Sequence, residues 1–206
     1  MIRLLSRAPV LALVLLLTTI IPIVSAALRM YQVPLGLLPP DAIKFEAVPW
    51  SHFLHATGGL LFGLLGPLQF ARALKQRFGR LHRISGRVFV GAGLLLGISS
   101  LRLVAVFPDA STWLLTTARV VTGLALCASL ILAVWAINRR RVEQHRAWMI
   151  RAYAIGMGAA TISFIMLPIF LITGEAPVGY GADLLFVLSW VINLSIAEWI
   201  IRRLSA

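Results

Sequence analysis

The stretch HFLHATGGLLFGLLGPLQFARALKQRFGRLHRISGR, His52 to Arg87, decides the fold. Two histidines open it, a glycine-studded apolar run follows, and a basic turn holding a third histidine leads into the next apolar run. The run Trp50–Ala71 is long enough to cross a hydrocarbon core, which takes about 20 apolar residues. Inside a bilayer every backbone polar group must be satisfied within the segment, so such a run is a helix. The stretch reads as a membrane-crossing helix, a basic turn at one face, and the start of a returning helix.

Five further runs share this character: Ala8–Leu28, Val88–Phe107, Trp113–Ile137, Trp148–Thr173 and Ala182–Ile201. The expectation is an all-α, polytopic transmembrane bundle of six helices, forming one integral membrane domain over 1–206. Hairpins at about 50–107 and 113–173 form its core, with peripheral helices at about 8–28 and 182–201. Composition agrees: the chain is 60% hydrophobic and 13% charged, with mean hydropathy +0.92, far more apolar than a soluble domain needs. Five tryptophans (Trp50, Trp113, Trp135, Trp148, Trp199) fall near proposed ends, as in an interfacial aromatic belt. Arg3 and Arg7, the first apolar run and Val24-Ser25-Ala26 also fit a cleavable signal peptide. The run is long for a signal core and more spans follow, so a retained first helix is the expectation.

The formal net charge is +12, and fifteen of the nineteen Lys and Arg residues fall on one side of the proposed topology. They are Arg3, Arg7, the group from Arg72 to Arg87, the group from Arg139 to Arg151, and Arg202 and Arg203. The opposite loops hold Arg29 and Lys44, while Arg102 and Arg119 lie within helices. The positive-inside rule places both termini and the basic loops in the cytoplasm. Juxtamembrane basic residues point to the bilayer and anionic lipid headgroups as partners and argue against nucleic acid. The longest loop, Arg29 to Pro49, carries four prolines and reads as an extended or turn-rich external cap. Cys127 stands alone, so neither an intrachain disulfide nor a cysteine metal cluster is available.

Few residues carry chemistry. His52, His55, Gly59, Gly63, Gly66 and Phe70 share one face of the second helix. Gly93 and Gly97 repeat the small-residue spacing on the third, and such glycines serve close helix packing. His52 and His55, with Arg102 and Arg119 at similar depth, form a candidate ligand site in the external half, suited to an anionic group. Snorkelling, or an ion pair of Arg119 with Asp183, is the competing reading; Asp109 and Glu175 are further candidate partners. His82 and His145 each open a helix at the opposite face and qualify as axial ligands of one b-type haem, with nearby arginines for its propionates. No second bis-histidine pair exists, so a two-haem relay is excluded. Glu198 is expected to pair with Arg202 one turn later. His82-Arg83 before Gly91-Ala92-Gly93 parallels His145-Arg146 before Gly156-Met157-Gly158. Such pairing would make two hairpins related as in some transporters, with chance similarity as the competing reading. Phosphate-binding glycine loops, metalloprotease helices and nucleophile turns are absent, so no catalytic constellation and no metal site is expected.

His55, Gly66-Pro67-Leu68-Gln69-Phe70, Leu81-His82-Arg83 with Gly86-Arg87-Val88, and His145-Arg146-Ala147-Trp148-Met149-Ile150-Arg151 together resemble the bacterial membrane-protein family catalogued as domain of unknown function 2306. The resemblance implies a multi-pass inner-membrane protein and carries over no activity. The functional expectation is an integral membrane protein, without evident enzymatic machinery, that binds a small molecule or ion at a His/Arg-lined polar site. The alternatives are a redox protein with one b-type haem between His82 and His145, and a small anion transporter using Arg102 and Arg119.

Overall fold

The computed structural model describes residues 8–70, 76–108 and 111–205; Arg3, Arg7, Arg72, Lys75 and Asp109 lie outside them. The described chain is helical almost throughout and contains no strand. The helices are α1 (Ala8–Leu35), α2 (Pro49–Phe70), α3 (Gly79–Val106), α4 (Trp113–Asn138), α5 (Val142–Gly156), α6 (Gly158–Thr173) and α7 (Gly179–Ser205), with a 3₁₀ segment at Pro40–Ala47. Taking α5 and α6 together, six helical segments are long and apolar enough to cross a membrane. The expected all-α bundle of six apolar spans is therefore present. Boundaries differ: α3, α5 and α7 begin before the expected apolar runs, at Gly79, Val142 and Gly179 rather than Val88, Trp148 and Ala182. α1 runs on to Leu35, with Pro34 in its last turn, and ends at Gly36, whose positive φ (64°) closes the helix. The expected external cap is partly this helix end and partly the 3₁₀ segment. The fifth span is broken at Met157.

By compactness the chain divides into two units, Met1–Leu96 and Gly97–Ala206, with the division inside α3. In the first unit, α1 lies along α2. Gly63 of α2 gives room to Ile23, whose Cγ1 sits 3.2 Å from where a Cβ would stand, and to Thr19. The tightest α2–α3 approach is at Gly58, which is not on the histidine–glycine stripe. A Cβ there would meet the Leu96 amide at 2.8 Å and the Ala92 carbonyl at 2.9 Å, so backbone rests on backbone. Phe62 and Phe89, both buried, stack beside it with centroids 4.3 Å apart. Val33, Leu38 and Ala42, with Phe45 and Phe53, seat the 3₁₀ segment between the end of α1 and the start of α2.

The second unit is built on α4, α5, α6 and α7. Gly97 and Gly123 let α3 and α4 approach, with Cys127 Sγ 2.6 Å from the place of a Gly97 Cβ. The break at Met157 frees carbonyls, and α7 supplies their partners. Trp190 Nε1 donates to the Ile155 carbonyl at 3.1 Å, and Asn193 Nδ2 donates to the Ala154 carbonyl at 3.0 Å. Thr161 Oγ1 completes the link by donating to Asn193 Oδ1 at 2.8 Å. In an apolar span such freed carbonyls require internal partners. Gly158 is obligatory at this point because the Trp190 indole occupies the space of a Cβ. Gly91, in contrast, lies in unbroken helix and meets nothing within 4 Å.

Candidate functional site

The candidate residues fall in both units, and each unit holds its own polar groups. In the first unit, His52 is buried in the first turn of α2, and its ring stacks on Phe45 of the 3₁₀ segment (centroids 4.2 Å, interplanar angle 5°). Neither ring nitrogen has a hydrogen-bond partner among the described residues. Two cations stand close: Lys44 Nζ lies 5.4 Å from the Phe45 ring centroid, and the field of Arg29 reaches His52. His55 lies one turn on and is half-buried.

His82 occupies the first turn of α3 with its Nδ1 buried. The turn around it is tied across the hairpin. Gln69 Nε2 donates to Ser85 Oγ at 2.9 Å, and Ser85 Oγ donates to the carbonyls of Leu81 (2.8 Å) and His82 (3.3 Å). Gly86 keeps this link short, since a Cβ there would meet Gln69 Oε1 at 3.0 Å. Gln69 and Ser85 were missed as positioning residues. Their signal was a glutamine inside an otherwise apolar run.

In the second unit, His145 lies in the first turn of α5 and is half-buried. Its Nδ1 is 2.8 Å from the Ala133 carbonyl of α4. A carbonyl only accepts, so Nδ1 carries the proton and donates. The neutral ring then presents the Nε2 lone pair, the tautomer found where a histidine ligates a metal and anchors its other nitrogen on backbone. Nothing in the sequence marks Ala133 as that anchor.

At the other end of this unit, Asp183 is buried and accepts the Thr112 N–H at 2.8 Å, which fixes the start of α4. Arg119 Nη1 donates to Ser111 Oγ at 3.3 Å and its guanidinium lies 5.8 Å from the Phe186 ring centroid, within the field of Asp183. Arg102 is exposed on α3. Glu198 departs from expectation: both its oxygens accept from Arg151 of α5, at 2.6 Å from Nε and 2.9 Å from Nη2. The planar guanidinium reaches across helices to make two parallel bonds, which outcompetes the flexible Arg202 on the same helix.

A family model described as "Predicted membrane protein (DUF2306)" matches residues 52–201. No curated protein and no solved structure matches the chain.

Proposed function

Because the chain belongs to the DUF2306 family of predicted membrane proteins, a description that names no activity, we propose a function from the side chains themselves. The protein is a multi-pass membrane protein that binds a small molecule at a histidine flanked by arginine, and the ligand is one b-type haem at His145. The carrying observation is the His145 Nδ1 contact with the Ala133 carbonyl at 2.8 Å, which sets the ring and leaves Nε2 as a ligand atom. Arg146 follows the histidine in sequence and suits a haem carboxylate. A haem held this way supplies one-electron transfer.

The test is the visible spectrum of the purified protein after expression with ample haem, oxidised and reduced. A Soret band is expected in the wild type, lost in His145→Ala and kept in His52→Ala. A wild type without a Soret band sinks the reading.

A second reading rests on His52. Burying two ring nitrogens without partners costs about 1–3 kcal/mol, so a ligand with polar atoms is favoured there, and Lys44 and Arg29 favour an anionic one. Inorganic phosphate is a direct probe: it raises the unfolding temperature of the wild type and not of His52→Leu. Equal shifts in the two proteins remove this site.

A further inference from the structure

Three described helix ends carry a left-handed residue: α1 at Gly36 (φ 64°), α6 at Gly174 (φ 76°) and α4 at Arg140 (φ 60°). The ends of α1 and α4 are the same motif. Leu37 N–H donates to the Gln32 carbonyl at 3.0 Å and Gly36 N–H to the Val33 carbonyl at 3.3 Å. Arg141 N–H donates to the Ala136 carbonyl at 2.9 Å and Arg140 N–H to the Ile137 carbonyl at 2.9 Å. Glycine takes this position without steric cost, whereas an L side chain pays for it. The chain nevertheless holds an arginine there, between two more.

The turn brings Arg139 and Arg141 back over the last turn of α4. Their guanidinium carbons lie 4.7 Å and 5.3 Å from the same Trp135 ring centroid. All three arginines are exposed, and Trp135 is 41% exposed at the end of its span. Among the described residues no carboxylate forms an ion pair with any of the three; the bidentate carboxylate of this unit belongs to Arg151. Guanidiniums gathered on one indole repel one another unless an anion lies between them.

The geometry points to a binding site for the phosphate of an anionic phospholipid, formed by Arg139 and Arg141 on the Trp135 platform, with Arg140 between them in the turn. A phosphate diester accepts parallel bonds from flat guanidinium forks. An indole at a helix end sits at headgroup level, where the lipid phosphate is found. The inference rests on the membrane-spanning reading of α4 and does not depend on haem at His145.

Native mass spectrometry of the purified full chain tests it, by titration with phosphatidylglycerol and, separately, phosphatidylcholine. Arg139→Gln/Arg141→Gln is expected to weaken phosphatidylglycerol binding on the order of tenfold and to leave phosphatidylcholine binding unchanged. Arg80→Gln/Arg87→Gln, with the same loss of charge elsewhere, keeps phosphatidylglycerol binding. Equal phosphatidylglycerol affinity in wild type and the Arg139/Arg141 variant overturns the site, as does an equal loss in the Arg80/Arg87 variant. Displacement of the lipid by millimolar inorganic phosphate shows a free-anion site and also overturns it. The visible spectrum of the same samples separates the two proposals. An unchanged Soret band with lost lipid supports the lipid site. A Soret band lost together with the lipid assigns these arginines to the haem carboxylates instead.

Discussion

At the scale of single residues, one bond sets the chemistry of His145. Its N–H is spent on a carbonyl of the preceding helix, so the imidazole has a fixed tautomer and a fixed direction. The residue type was legible in the sequence; the tautomer was not, because any helical carbonyl looks like any other in a string of letters. Arg140 makes the complementary case. Its left-handed backbone predicts that Arg140→Gly raises stability by about 0.5–1 kcal/mol, the relief of the Cβ clash outweighing the greater freedom of glycine in the unfolded chain. Thermal unfolding in detergent measures this, and an unchanged or lowered midpoint shows that the side chain's contacts outweigh the strain. Glu198 marks where local reasoning stopped. An i,i+4 partner is visible in the sequence, but a bidentate partner 47 residues away is not.

At the scale of elements, the fifth span is the informative one. A single non-helical residue, Met157, divides it, and the freed carbonyls are closed by Trp190 and Asn193 of α7. Gly158→Ala is expected to push the Trp190 indole away and leave the Ile155 carbonyl without that donor, at a cost of about 2–4 kcal/mol. Tryptophan fluorescence and thermal unfolding read both effects; a variant with wild-type emission and midpoint contradicts this account of the break. The first hairpin offers a paired test. Gly58→Ala sets a methyl against the α3 backbone and costs about 1–3 kcal/mol, whereas Gly59→Ala meets only the tip of Leu96 at 3.8 Å and costs under about 0.5 kcal/mol. If Gly59 proves the costlier substitution, the histidine–glycine stripe, and not the Gly58 contact, is the packing surface. Gly63 and Gly97 do sit at close helix contacts, but the glycine with the closest approach in this hairpin, Gly58, lies off the stripe.

At the scale of the molecule, the charge pattern carries the topology. Basic residues collect at alternate ends of the apolar runs, which supports a proposed orientation with both termini and the Arg139–Arg141 turn in the cytoplasm. In a Cys127→Ser background, a single cysteine replacing Arg140 should be labelled only from the cytoplasmic side, and one replacing Lys44 only from outside. The reverse pattern sinks the orientation. The partition into two compact units, each with its own histidines, was not visible in the sequence, where the spans read as one uninterrupted series.

The amino-acid sequence by itself determined that the chain is helical, that it has six apolar spans, and which few side chains can do chemistry. It did so because a bilayer core leaves the backbone no partner outside its own segment, and because every polar residue in such a run stands out. Only the tertiary structure decided who meets whom: His145 with the Ala133 carbonyl, Arg151 with Glu198, Trp190 and Asn193 with the broken fifth span. Those pairings depend on how each helix is rotated about its axis. Helices apolar on nearly every side carry little periodic contrast to set that rotation, so close fit and a few hydrogen bonds settle it.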